Sequence, residues 1–173
     1  QAVALYRESL AIREALGDER GKATLLRKLA LKDRGPDDPR TGIDYLEESL
    51  AICERIGDFS GQYKTLNNLG LIYFHDKHQY GKALECFTRS IEAIRKAGDI
   101  LNEATSLSNM GAVYRQVGDF ARAAECHSRS LAIAEQIGDQ QAKARSLVAL
   151  GNIWYETQEY AAALDYYTQA RSI

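Results

Sequence analysis

Proline is nearly missing from this chain. Only Pro36 and Pro39 interrupt 173 residues, so almost every segment is free to be helical. Long apolar runs are missing too: nothing approaches about 18 consecutive apolar residues, which excludes a membrane-spanning helix. The chain also lacks a basic excess. Its formal charge is −2, unlike the strongly basic domains that grip nucleic acid through phosphates. Histidine is confined to His75, His78 and His127, and no glycine-rich phosphate loop is present. The opening residues, QAVALYRESLAIRE, carry charges among their apolar positions and do not form a signal peptide. Cys53, Cys86 and Cys126 are an odd number without zinc-type spacing. They read as reduced, partly buried thiols of an intracellular, cytoplasmic protein.

What the chain has is a period. A Gly-Asp pair recurs at Gly17-Asp18, Gly57-Asp58, Gly98-Asp99 and Gly138-Asp139, at intervals of 40, 41 and 40 residues. Between the marks lie Leu69-Gly70, Met110-Gly111 and Leu150-Gly151, each followed three residues on by an aromatic: Tyr73, Tyr114 and Trp154. Tyr80, Phe120 and Tyr160 then open a second helical segment, with Ala83, Ala123 and Ala163 three positions further. Apolar residues fall at i, i+3, i+4 and i+7, giving one apolar face per helix. A mid-helix glycine costs about 1 kcal/mol against alanine. Its recurrence therefore implies close helix packing, read here as glycine facing alanine. The Gly-Asp mark reads as the C-terminal cap of one helix followed by the N-cap of the next.

These observations predict an all-α right-handed solenoid of nine helices, near 1–16, 19–32, 39–56, 59–75, 80–97, 100–117, 120–137, 140–157 and 160–173. The array occupies 1–173 as one unit. Residues 1–16 form the second helix of a preceding repeat, 17–56 a degenerate repeat, and 57–97, 98–137 and 138–173 three further repeats. With neither end polar, the chain reads as a fragment of a longer protein. In the degenerate repeat Leu29-Ala30 replaces Leu-Gly, Asp33 fills the aromatic slot and Gly42 replaces the alanine. The run Asp33–Pro39 must end the first helix early, and Asp38 with Pro39 is expected to cap the next.

The order of small and large residues resembles the tetratricopeptide repeat, a helix-turn-helix unit with Gly, Tyr, Ala and Phe at these relative positions. The unit is longer than the usual 34 residues and lacks the family's terminal proline. It is similar to the 40-residue subgroup of Pins-type polarity adaptors and of the arms of bacterial signalling ATPases and transcription regulators. The resemblance implies that first helices line a concave groove, with positions −6, −3, −2, +1 and +4 from each glycine facing it. Those positions are Thr24, Arg27, Lys28, Leu31 and Arg34; Lys64, Asn67, Asn68, Leu71 and Phe74; Thr105, Ser108, Asn109, Ala112 and Arg115; and Arg145, Val148, Ala149, Asn152 and Tyr155. Six of the twenty are Arg or Lys and none is Asp or Glu, with Glu156 at the rim as a counterweight.

Arg forms bidentate bonds to carboxylates, and Asn can bind a peptide backbone through both donor and acceptor. Arg27, Lys28, Lys64, Asn67, Asn68, Ser108, Asn109, Arg115, Arg145, Asn152 and Tyr155 are thus the expected groove residues for an extended, acidic peptide. The expected work is that of a non-enzymatic scaffold for protein partners, without cofactor, metal or membrane. The alternative is a regulatory or sensor arm of a larger signalling ATPase or transcription regulator. An RNA-binding helical repeat ranks behind both, for lack of a repeat-wise base-reading code. Cys126-His127 makes a poor metal or nucleophile pair, because neighbouring helical residues point apart. His127 instead matches Phe87 and Tyr167 and is expected to pack as an aromatic. Ser9, Ser49, Ser90 and Ser130 share one phase and read as small interface residues.

Overall fold

Aspartate starts most of the helices. The computed structural model describes residues 2–31, 41–76 and 78–173. Nine helices form there: α1 (Ala2–Ala15), α2 (Glu19–Ala30), α3 (Gly42–Arg55), α4 (Phe59–His75), α5 (Tyr80–Ala97), α6 (Ile100–Gln116), α7 (Phe120–Ile137), α8 (Gln140–Glu156) and α9 (Tyr160–Arg171). Asp18, Asp58, Asp99 and Asp139 each accept a hydrogen bond from the backbone N–H three residues on, at 2.8 to 3.4 Å. That satisfies one of the donors left unpaired at a helix start. The glycine before each aspartate has positive φ, and Gly98 and Gly138 are left-handed C-caps, a conformation in which a Cβ would be strained. The Gly-Asp marks are therefore the caps expected of them. A fifth pair, Gly118-Asp119, works the same way inside a repeat, with Asp119 capping α7.

One cap differs from expectation. Thr41, not Asp38, starts α3, through a capping box in which its hydroxyl accepts from Asp44 N–H while the Asp44 carboxylate accepts from Thr41 N–H. Asp33, Arg34, Gly35, Pro36, Asp38 and Pro39 lie outside the described residues. In the degenerate repeat, α2 ends at Ala30, earlier than α4, α6 and α8 do relative to the glycine position.

Consecutive helices pack antiparallel along the whole described chain, so the molecule is an all-α solenoid. Its curvature follows from which helices touch. Besides chain neighbours, α2 touches α4, α4 touches α6 and α6 touches α8, whereas α3, α5, α7 and α9 make no such contacts among the described residues. The first helices form the crowded inner row and the second helices the spread outer row.

Within a pair, the nearest neighbour of each of these glycines is an aromatic ring. A Cβ on Gly70 would lie 2.6 Å from the Phe87 ring, one on Gly111 2.6 Å from the His127 ring, and one on Gly151 2.6 Å from the Tyr167 ring. The space left by glycine is filled by an aromatic ring of the following helix, four residues beyond the alanine. Ala83, Ala123 and Ala163 are buried, one turn before the ring on the same helix. Between pairs, buried hydroxyls meet: Ser49 with Thr65, Ser90 with Ser106 and Ser130 with Ser146, at 3.1 to 3.3 Å. Ser49, Ser90 and Ser130 also donate to the carbonyls of Ala23, Tyr63 and Ala104. Small interface residues were expected at these positions, and each also joins one pair of helices to the next.

Candidate functional site

The inner row carries the residues of interest on α2, α4, α6 and α8. Every expected groove residue among those described is half-buried or exposed, and none is in the core. Two hollows open on this row, side by side, sharing Thr105. The first, about 220 Å³, is lined by Arg27, Tyr63, Lys64, Asn67, Asn68, Asn102, Thr105 and Ser106. The second, about 370 Å³, is lined by Leu101, Ala104, Thr105, Ser108, Asn109, Ser130, Ile137, Asp139, Ala142, Arg145 and Ser146. The structure thus brings Arg27, Lys64, Asn67 and Asn68 together, and Ser108, Asn109 and Arg145 one repeat further on.

The remaining expected residues lie elsewhere. Lys28 stands over the Tyr6 ring at 5.9 Å, toward α1. Arg115 is spoken for: it pairs with Glu156 at 2.5 Å. The Asn152 carbonyl accepts from the Tyr167 hydroxyl at 2.8 Å, and Tyr155 packs edge-on to Tyr160 with ring centroids 5.5 Å apart. Asn67 and Asn109 bond to each other across the α4–α6 seam, the Asn109 amide donating to the Asn67 carbonyl at 2.9 Å. That leaves Asn68 as the inner-row asparagine with both amide groups turned to no protein partner among the described residues.

Charge is distributed unevenly. Arg13, Arg20, Lys22, Arg55, Arg89, Arg95, Arg122, Arg129 and Lys143, on the edges and outer row, each form an ion pair. Arg27, Lys64 and Arg145 form none among the described residues; Lys64 only stands over the Tyr63 ring at 5.5 Å. The carboxylate nearest the first hollow is Asp99. Tyr63 hydroxyl donates to it at 2.6 Å and Asn102 amide at 2.8 Å, besides its capping bond. The Tyr63 bond, then Asn102, hold Asp99 below the usual carboxylate range against the opposing effect of burial. Three hydrogen bonds hold it in place and its charge is felt at Lys64, but neither cation forms an ion pair with it.

Reading the sequence at positions −6 to +4 missed Leu101, Asn102 and Tyr63. A face that includes −6 continues one turn back at −9 and −10, which are Asn102 and Leu101; extending the same count would have found both.

His127 is 3% exposed and packs as the aromatic expected of it. Burial first, and Arg115 second, push its pKa down to about 4. The three cysteines are free and buried; burial raises Cys86 and Cys126 to about 11, so neither thiol is activated. Among the described residues, no cluster of His, Cys, Asp and Glu could hold a metal ion, and no helix is long and apolar enough to cross a membrane.

Comparison with known proteins agrees with the packing. A family model for the tetratricopeptide repeat matches residues 61–136 and 102–173. The chain belongs to the tetratricopeptide-repeat family. Among solved structures it is similar to a signal-transduction ATPase with numerous domains that carries a tetratricopeptide-repeat sensor, from Pyrococcus horikoshii: TM-score 0.78, 22% identity, 88% of this chain and 24% of that one. It is similar to a Rap protein complexed with Competence and Sporulation Factor: TM-score 0.78, 20% identity, 98% of this chain and 47% of that one. It also resembles BtubC from P. vanneervenii: TM-score 0.70, 17% identity, 94% of this chain and 76% of that one. The chain thus spans about a quarter of the ATPase and about half of the Rap protein, and at these identities the likeness is one of fold. No curated protein matches it by sequence.

Proposed function

We propose that this tetratricopeptide-repeat array is a non-enzymatic scaffold that holds an extended, acidic segment of a partner protein along its inner row. One observation carries the reading: on a chain of net charge −2, Arg27, Lys64 and Arg145 line the hollows of the inner row and form no ion pair among the described residues. Unpaired, half-exposed cations are already desolvated in part and have no internal partner to give up, so a carboxylate that reaches them gains the interaction in full. Asn68 adds a free amide able to bond a peptide backbone in both senses. Arg115 drops out of the binding set, because Glu156 already holds it.

The test is the triple variant Arg27→Glu, Lys64→Glu, Arg145→Glu against an acidic peptide library at low salt. Binding should fall at least tenfold with circular dichroism unchanged. Equal affinity would move the ligand to another surface. A second reading, a sensor or regulatory arm of a larger signalling protein, is favoured by the likeness to the ATPase sensor and to the Rap protein complexed with Competence and Sporulation Factor. It uses the same groove. It predicts that peptide binding alters the activity of attached domains in the full-length protein.

A further inference from the structure

The two hollows on the inner row are chemically unlike. The first is lined by two cations, Arg27 and Lys64, and by three asparagines, with no carboxylate among its walls. The second holds one charge of each sign, Arg145 and Asp139, beside an apolar wall of Leu101, Ala104, Ile137 and Ala142. Leu101 is 59% exposed and Ile137 37% exposed, so this wall faces solvent while the cores around it are closed. Asp139 stays at the rim as the α8 cap, accepting from Ala142 N–H at 2.9 Å. Its charge repels a second carboxylate there and offsets Arg145. An acidic side chain therefore gains most in the first hollow, and an apolar one in the second.

The spacing between hollows sets the register. They lie on successive inner helices, α4–α6 and α6–α8, which touch each other. Packed helices sit about 10 Å apart, and an extended peptide advances about 3.3 Å per residue. One hollow-to-hollow step is then about three residues. We infer that the groove selects an extended peptide carrying an acidic side chain and an apolar side chain about three residues apart, the acid at Arg27 and Lys64 and the apolar group on Leu101 and Ile137. A separation of three suits an extended peptide in the polyproline II form, which rises about 3.1 Å per residue and returns every third side chain to the same face, so both can enter hollows of one row. This specificity rests on the groove reading above and goes beyond it, because net acidity alone would impose neither the apolar residue nor the spacing.

The experiment uses synthetic peptides of ten residues on a Gly/Ser/Asn background, each with one Glu and one Leu separated by one to six residues, in both orders. Binding is read by fluorescence anisotropy at low ionic strength. Affinity should peak at a separation of about three in one order, about tenfold above the shortest separation. Leu101→Asn should remove the benefit of the Leu and leave that of the Glu, and Lys64→Glu should do the reverse. Both positions are solvent-exposed, and circular dichroism checks that the variants fold. A flat profile, or equal binding when Leu is replaced by Ser, overturns this inference if Lys64→Glu still weakens the acidic peptides; the groove reading then stands. If no peptide shows binding sensitive to Lys64→Glu, the groove reading falls and takes this inference with it.

Discussion

The first helix pair and the three that follow solve one packing problem in two ways. In α4/α5, α6/α7 and α8/α9 a glycine on the first helix makes room for a ring: Gly70 with Phe87, Gly111 with His127, Gly151 with Tyr167. In α2/α3 the glycine position is Ala30 and the ring position is Leu46, both buried in the same cluster. A methyl group gained on one helix is matched by a smaller side chain in place of the ring on the other. What is kept is the combined volume across the interface, as close-packed interiors demand. At this contact the degenerate repeat is therefore not a loosened repeat, because the two departures at Ala30 and Leu46 offset each other.

The harshest way to break that equivalence is to fill a glycine without shrinking its ring. Gly111→Leu puts its Cβ 2.6 Å from His127 Nε2 and more atoms beyond it. Overpacking of this kind should cost about 3 kcal/mol or more, visible as a lowered Tm. An unchanged melting curve would refute the ring-in-glycine contact.

The ring itself can be perturbed without mutation, because one of the three is an imidazole that takes up a proton on acidification. His127 is buried, and its Nδ1 finds no hydrogen-bond partner among the described residues. Its pKa falls from 6.5 to about 4 in the folded chain. The unfolded chain binds the proton first on acidification, so this contribution is full above pH 6.5 and is lost as pH falls toward 4, by about 3 kcal/mol in all. His127→Phe, which copies the α4/α5 arrangement, should flatten the stability-versus-pH profile across that window. A profile that keeps its slope in the variant would assign the acid sensitivity to other groups.

A gentler experiment converts one solution into the other. Gly70→Ala should destabilise, since the new methyl meets the Phe87 ring at 2.6 Å, although alanine gains about 1 kcal/mol in helix propensity. Phe87→Leu alone should leave a cavity costing about 1 to 3 kcal/mol. Together they rebuild the Ala30/Leu46 arrangement, and the double-mutant cycle should show favourable coupling of about 1 to 3 kcal/mol. Additive effects would mean the first pair is stabilised by something other than matched volume.

These contacts also mark the limit of what the sequence discloses. Caps are local: an aspartate and the N–H three residues on lie in one segment, so the Gly-Asp marks gave helix boundaries within two residues for most helices. The exception, Thr41 in place of Asp38, lay beside prolines where several residues compete for the cap. The glycine's partner is not local. It sits 16 or 17 residues away on another helix that also carries the alanine, so spacing alone did not single out the ring. The groove shows the same limit. The inner helices are those the family resemblance implied, but the Arg115–Glu156 pair joins residues 41 apart in the chain, and the apolar wall lay one turn beyond the positions counted.

The smallest predicted effects separate paired from unpaired cations on that inner row. Arg115→Gln removes a half-exposed ion pair with Glu156. It should cost at most about 1 kcal/mol of stability, less at high salt, and leave acidic-peptide affinity within about twofold. Arg145→Gln removes no ion pair among the described residues, so its stability should stay within about 0.5 kcal/mol of the parent while affinity falls severalfold. Chemical denaturation and anisotropy on the same two proteins give four numbers. The reading requires them to cross, with stability lost at Arg115 and affinity lost at Arg145. If both variants lose affinity equally, the Arg115–Glu156 pair opens to ligand, and the distinction between held and available cations is wrong.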